Sequence, residues 1–592
     1  MNLRAFVNRI AVFLVPFLLL AAAVPATAQI SVTATTPNSA AQGTVNLNVT
    51  VSGSGFKKGA KAQWFVSGST TNPGGVTVNS TAFSNSNTLV ANITVAADAV
   101  ISGFDVVVTN ADGRTGKGTE LFAVVKKQTV AACPVLTPLV TAPASCTTGQ
   151  PGCLDPTFGT DPSWPGMVFT NTDGPTPPTN DMDGGRAVRE MPDGRIVAMG
   201  NTTDPATLTN GFAAIRYSPD GSLDPTFGDG GIARQFLATT GLGVVAWDGV
   251  LQPDGSVVVV GTLYGSTYNQ GAAVRFTPSG SLDTSFGSNG VFILTEKPKP
   301  NTYWNVDFEG VILDSSNNLL IGTTTTGGCQ VVRLKPDGSL DSSFGSGGIV
   351  TLASLMSCGE GSMVPVAIQS TSTGKHFLVG GSINGSFGLV RLNWNGTVDS
   401  SFGPNGNGTV TTSWCGSGAD SVHALAVDGN GNIFAAGRAQ WGSSTSTINF
   451  GVAKYTPNGT ADSTFGYIAP GGTQPSGKAA FDVMGDTEIL RSVVVQSDGK
   501  ILLSGATQTT VGGVTVHPFA VVRLNYDGSL DQSFGLADGN AGAVVTLPQG
   551  SPSQVPFRMS LDSAGRLLQT GAVMFDTGPY ASWNLAIIRY IP

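Results

Sequence analysis

Charge is scarce in this sequence: Asp, Glu, Lys and Arg make up 11% of its 592 residues. What charge there is sums to -8, with an isoelectric point near 4.9, and no basic stripe runs along the chain. That excludes nucleic acid as a partner, because holding a phosphate backbone takes clustered Lys and Arg. Long apolar runs are missing too. Beyond residue 29 none approaches the roughly 20 residues a spanning helix requires, so the mature chain is expected to lack a transmembrane segment despite a mean hydropathy of +0.14. Cysteine is sparse, with six residues and no CxxC pair, which excludes the usual zinc spacing and a disulfide-built fold. The three histidines share no local motif and no G-x-S-x-G elbow is present. Nothing in the sequence therefore assigns a catalytic residue, a metal or a cofactor.

The N-terminus carries an address. Arg4 and Arg9 precede an apolar run from Ala11 to Val24, and Ala26-Thr27-Ala28 has the small-x-small spacing of a cleavage site. Residues 1–29 are expected to be a signal peptide and the mature protein secreted, periplasmic or on the cell surface, where Cys133, Cys146, Cys153, Cys329, Cys358 and Cys415 can form disulfides.

Residues 30–126 alternate apolar and polar positions, as in Val45, Leu47, Val49, Val51 and again Leu89, Ala91, Ile93, Val95. This is the period of strands buried on one face, and about seven such runs between Gly, Asn and Pro turns predict a small β-sandwich. Thr36 to Gly43 (TPNSAAQG), Gly53-Ser54-Gly55-Phe56, and Val108 to Gly113 (VTNADG) ahead of an LFAVV strand resemble an IPT/TIG immunoglobulin-like domain. The resemblance implies a fold and no site. Residues 127–152, rich in Pro, Ala and Thr and without periodicity, read as a linker, in which Cys133 with Cys146 or Cys153 would close a loop.

From residue 153 a repeat takes over. An LDxxFG element recurs seven times, with Phe158, Phe227, Phe286, Phe344, Phe402, Phe465 and Phe534 spaced 58 to 69 residues apart. An apolar strand, a turn and a second apolar strand ending in Gly also recur, as in Val188 to Gly200 and Val250 to Gly261. A third strand precedes a PDG-type turn, and the LDxxFG segment is expected to form the fourth. Four strands per unit of about 60 residues is the period of propeller blades. The first copy offers only a fourth strand and the last only the other three, so residues 153–592 are predicted to close as a seven-bladed β-propeller with 3+1 strand closure. The units resemble the delta-60 repeat of secreted and surface proteins through their DGxIxxxG, FxxxRY and DGSLDxxFG elements. That resemblance implies no catalytic activity.

A three-residue loop at PDG, a type I turn followed by a G1 bulge, would set Arg216 opposite Asp224. The same register pairs Arg275 with Asp283, Arg333 with Asp341, Arg391 with Asp399, Lys454 with Asp462 and Arg523 with Asp531, and joins Arg589 to Asp155. Seven equivalent copies are structural by repetition. Asp183, Asp420 and Glu488 recur near the start of first strands, but Val244, Met363 and Gln554 stand at equivalent places, so no full acidic ring forms. Asp428 to Asn432 (DGNGN) has alternating oxygen donors and lacks the Glu of a calcium loop.

In a propeller the short turns share one face and the longer, variable connections share the other, where a rigid scaffold presents function. Aromatics fall among those connections: Trp164, Tyr264, Tyr268, Trp304, Trp414, Trp441, Tyr580 and Trp583. Flat rings among hydroxyl and amide groups suit a polysaccharide or protein surface. Cys329, Cys358 and Cys415 map to the same face, and Cys329 with Cys358 would pin adjacent loops. The reading is an all-β extracellular binding and adhesion scaffold. An extracellular propeller hydrolase or lyase and a structural subunit of an extracellular assembly are the alternatives.

Overall fold

The computed structural model describes residues 29–125, 136–143, 146–173, 183–237, 243–265, 268–294, 305–358, 363–414, 420–441, 448–466, 476–485, 487–575 and 582–592. The chain divides into two compact units, Met1–Val130 and Ala131–Pro592. Residues 1–28 of the expected signal peptide, residues 126–135 with Cys133 of the expected linker, and Trp304, Cys415 and Tyr580 lie outside the described residues. Among the described residues secondary structure is all β, apart from one 3-10 turn at Leu536–Asp538.

The first unit is a sandwich of two four-stranded sheets. One places Leu47–Ser54 between Ser31–Thr36 and Thr88–Val95, with Val76–Asn85 at the far edge; the other runs Ser39–Ala41, Thr115–Val125, Ser102–Thr109, Lys61–Val66. Burial alternates strictly along Thr88–Val95, as the sequence period demands. The inward residues Val49, Val51, Trp64, Leu89, Ile93, Phe104 and Phe122 form a single core.

The second unit contains seven four-stranded antiparallel sheets among its described residues, five of them built from consecutive strands and a sixth interrupted only by a separate two-stranded hairpin. The first sheet is Gly184–Glu190, Ile196–Thr203, Asn210–Tyr217 and Ile232–Phe236. The second to sixth begin at Val244–Leu251, Val306–Leu313, Val366–Thr371, Ser421–Val427 and Glu488–Val495. The seventh takes Ser553–Leu561, Leu567–Met574 and Trp583–Tyr590 from one end of the sequence and Met167–Thr170 from the other. Each first strand packs against the first strands of both neighbouring sheets, and the series closes from the seventh back to the first.

Here periodicity of two gives way to continuous burial. All eight residues of Ile196–Thr203 are buried, because each sheet has a neighbour on both faces. Seven apolar cores result, one between each adjacent pair of sheets, the last between the seventh and the first. The repeat Phe belongs to these cores: Phe227 fills the space between the first and second sheets, and Phe158 that between the seventh and first.

Each LDxxFG segment departs from the expected fourth strand. It makes a single bridge, such as Tyr217 with Leu223, and then turns away, so that the fourth strand begins only afterwards, at Ile232 in the first sheet. The reason is a contact with the next sheet. Gly228 N–H donates to Ser279 in the following PDG-type turn (2.8 Å), and Gly287, Gly345, Gly403 and Gly466 repeat the bond around the ring. Gly159 closes the series on Asp220 at 2.8 Å. Room for this is tight: a Cβ on Gly221, whose φ is 91°, would stand 2.7 Å from the Val168 side chain.

The segment expected to be a linker is partly built into this unit. Leu139 and Val140 N–H groups donate to Asp482 and Val483 carbonyls, and Val140 is buried in the core between the fifth and sixth sheets.

Candidate functional site

At the third-strand hairpins the structure brings each repeat's cation to its carboxylate. Nε donates to the Asp Oδ2 at 2.7 Å for Arg216–Asp224, Arg275–Asp283 and Arg523–Asp531, at 2.8 Å for Arg391–Asp399 and Arg589–Asp155, with 3.4 Å between Arg333 and Asp341 and 3.0 Å from Lys454 Nζ to Asp462. The same cations lie over the repeat aromatics, as Arg589 over Phe158 at 4.4 Å and Arg216 over Phe227 at 4.7 Å. Arg216, Arg391 and Arg589 also donate to a carbonyl in the next sheet's turn, those of Pro278, Pro457 and Pro219. These groups hold sheets together and present nothing to a ligand.

The acids at the first-strand starts are similarly occupied. Asp183 accepts from the N–H and hydroxyl of Thr172, Asp420 from the N–H groups of Gln440 and Trp414, and Glu488 from those of Val483, Met484 and Phe450. Burial pushes the Glu488 carboxyl well above its ordinary range. Asp428 accepts from Asn430, Asn432 and the Tyr526 hydroxyl, and so organises a turn. Among the described residues no three His, Cys, Asp or Glu side chains converge as metal ligands. Disulfides join Cys146 to Cys153 and Cys329 to Cys358.

The aromatics expected on the variable loops divide. Tyr264 is 36% exposed, and Tyr268 and Trp583 are half-buried. Trp414 and Trp441 are buried: Trp414 packs edge-on against Phe387 (5.1 Å) and lies 6.1 Å from Trp441 within the core between the fourth and fifth sheets. Both rings are taken up by that core and present no face to a ligand. Trp164 likewise packs on Phe169 and Phe575.

Two recesses in the second unit bear on a site. On the variable-loop side of the sixth sheet, an extra hairpin (Thr509–Val511 with Val514–Val516) and the connection from Leu547 to Pro552 enclose a groove of about 520 Å³. Val511 and Val514 on its wall are 45% and 50% exposed.

The second is the axis of the ring. A cavity of about 290 Å³ there is lined by first-strand residues of all seven sheets, among them Arg189, Asp248, Arg558 and Ser492. Six of the seven first strands carry a β-bulge, and the residues in the bulges are Arg186, Trp247, Glu309, His423, Arg491 and the pair Phe557-Arg558. A bulge re-aims one side chain out of the pleat. Here they meet: Arg186 lies 3.8 Å from the Phe557 ring centre and 5.2 Å from that of Trp247, and Arg491 lies 5.0 Å from Phe557. Arg558 reaches across to the Glu309 carbonyl (3.0 Å) and to Asp248 (3.4 Å). Burial and the Arg491 charge lower Arg186 to about 9, and burial with Arg558 lowers Arg491 to about 10. Burial, then Arg491, holds His423 down at about 4 and therefore neutral at pH 7.

Sequence reasoning missed this ring, yet a signal exists. A recurrent Gly within the second strands lies beside the bulge: a Cβ on Gly200, Gly261, Gly437 or Gly505 would fall 1.9 to 2.1 Å from a first-strand carbonyl oxygen. Glycine within a strand marks such close backbone approach.

Five segments, residues 192–227, 252–286, 316–344, 373–402 and 496–534, match a family model described as a domain of unknown function (DUF5122) β-propeller. No curated protein matches the sequence. Similar solved structures include Drosophila plexin A in complex with semaphorin 1b, at 9% identity and TM-score 0.32, covering 68% of this chain and 84% of that one. The intramolecular trans-sialidase from Ruminococcus gnavus in complex with oseltamivir carboxylate is similar at 9% identity and TM-score 0.31, covering 72% and 96%. With the family match lying on the repeated hairpins of its sheets, the chain is a β-propeller protein.

Proposed function

We propose that the protein is a secreted or cell-surface binding and adhesion scaffold, in which an IPT/TIG-like immunoglobulin-fold module (residues 30–126) precedes a seven-bladed propeller of delta-60 repeats (residues 153–592). The closed series of seven sheets and the pairing of Met167–Thr170 with Trp583–Tyr590 support the blade number and the 3+1 closure. Two disulfides support an oxidising location. No helix among the described residues is long and apolar enough to cross a membrane.

The ligand is an extracellular protein or polysaccharide, taken on the variable-loop face. One observation carries this reading: on that side of the ring, and beside uniform turns on the other, an added hairpin exposes Val511 and Val514 over an apolar groove. A valine pair held out of the core is retained at a cost in solubility, and exposed apolar patches of this kind mark contact surfaces. The test is retention of extracellular polysaccharides and culture-supernatant proteins on the immobilised mature chain, against Val511→Asp/Val514→Asp and Tyr264→Ala variants. Retention of a defined partner that both variants weaken is expected. A partner bound equally by all three proteins would overturn the assignment of the face.

A further inference from the structure

The cations on the axis are not matched by anions. Arg558 has Asp248 and the Glu309 carbonyl, and Arg189 donates to the Val188 carbonyl (2.7 Å). Arg186 makes no hydrogen bond or ion pair among the described residues, and its Nε is enclosed without an acceptor. Arg491 is in the same state except for a 3.8 Å approach to the Met363 sulfur. Both arginines sit in bulges, Arg186 on the first sheet and Arg491 on the sixth, and both approach the Phe557 ring of the seventh sheet, at 3.8 and 5.0 Å from its centre. Confining two guanidinium charges near one another without a carboxylate destabilises the empty fold. Glu309, the acidic member of the bulge ring, accepts from the Thr324 hydroxyl at 2.8 Å, and burial drives it toward the neutral form. The neighbouring His423 offers no second charge to bind or to repel.

We infer that the bulge level of the channel is an oxyanion-binding site, in which Arg186 and Arg491 together hold a carboxylate or sulfate group while Phe557 and Trp247 fix the guanidinium planes. Planar five-donor groups of this type bind such oxyanions through paired, charge-assisted hydrogen bonds. The cavity of about 290 Å³ on the same axis is lined by Arg189, Asp248 and Arg558 and not by these two arginines; it is too small for a polymer segment, so the ligand reaching this level of the channel is a small anion or the charged end of a sugar. The site is separate from the loop face and stands whether or not that face binds a polymer.

Two probes distinguish the sources of the anion. Inorganic sulfate and D-glucuronate are titrated into the mature full chain by calorimetry and thermal melting, with chloride at matched ionic strength and neutral glucose as references. Wild type is expected to bind and to melt higher with at least one anion. Binding to sulfate alone assigns the site to a free inorganic ion, and binding to glucuronate to an acidic sugar. Arg186→Gln and Arg491→Gln should each weaken binding about tenfold or more, and the double variant should abolish it. Without anion the double variant should melt at or above wild type, because the unmatched charges are gone. Indifference of wild type to both anions, binding that survives in the double variant, or failure of the double variant to fold would each overturn the site.

Discussion

Arg589 and Asp155 are separated by 434 residues and joined by a 2.8 Å hydrogen bond in which both side chains are almost wholly buried. Arg566 approaches the same carboxylate oxygen at 3.1 Å, and Thr157 donates to the other. Asp155→Ala therefore leaves two cations facing each other at the seam of the ring. Breaking a buried pair from one side costs about 3–5 kcal/mol. The more exposed Arg275–Asp283 pair should lose only about 1 kcal/mol on Asp283→Ala. Urea unfolding of the two variants checks the ranking, and equal losses would show that the seam is no weaker than an internal hairpin.

The same carboxylates predict acid lability. Burial by itself would raise Asp531, but the Ser533 hydroxyl and N–H, Lys500 and the Arg523 charge outweigh it and hold the group at about 2. Asp155, Asp224, Asp283, Asp341, Asp399 and Asp462 are lowered by equivalent partners. A carboxyl depressed in the folded state contributes its full stability above its unfolded pKa of about 3.9 and loses it as pH falls toward the folded value. Melting temperature should decline gently below about pH 6.5, where unfolding lets the buried neutral His423 take up a proton, and then drop steeply between about 4 and 2 as the carboxylates protonate. A profile that is level down to about pH 4 would show that His423 is not held neutral by the fold, and the absence of a steep fall below about 4 would show that the carboxylates are not held ionised by it.

Burial separates the aromatics by role. Trp441→Ala removes a ring that is 5% exposed and should cost about 3–5 kcal/mol of stability. Tyr264→Ala should leave the melting temperature nearly unchanged and act only on binding. Thermal melts of both decide it, and a fully stable Trp441→Ala protein would return that ring to the candidate surface.

What could be read in the sequence was local. The Arg216–Asp224 register follows from a three-residue turn whose Pro and Gly fix the backbone. The displaced fourth strand does not, because the path of Gly228 is set by a bond to Ser279 in another sheet. The channel is hidden for a related reason: Arg186, Trp247, Glu309, His423, Arg491 and Phe557 occupy equivalent bulges with five different side chains, so a search for repeated residues passes over them. Trp414 and Trp441 follow directly on the ends of strands, where sequence position alone does not separate a ring that turns into the core between two sheets from one that faces solvent.

Linking Cys329 to Cys358 closes a loop with a sequence separation of 29. Constraining the unfolded chain over that length is worth about 3–4 kcal/mol, against about 2–3 kcal/mol for the shorter Cys146–Cys153 loop. Reduction of both bonds should lower stability, and a Cys329→Ala/Cys358→Ala variant should account for the larger share. Unfolding curves of oxidised, reduced and variant protein make the comparison, and an unchanged midpoint on reduction would assign both bonds a purely local role.

Gly505→Ala tests the link between repeat and channel. Gly505 pairs with Leu490, immediately before the bulge that turns Arg491 toward the axis. A Cβ at Gly505 would stand 2.0 Å from the Ile489 oxygen, and because that atom is backbone, the first strand has to move. Overpacking of this kind costs about 1–3 kcal/mol, and here the strand that yields carries Arg491. Destabilisation should therefore come with altered anion binding. Ala at Gly550, where a Cβ meets nothing within 4 Å but φ is 78°, provides a control for backbone strain alone. If Gly505→Ala and Gly550→Ala lose the same stability and both retain full anion binding, the glycine serves chain conformation only and the bulge does not depend on it.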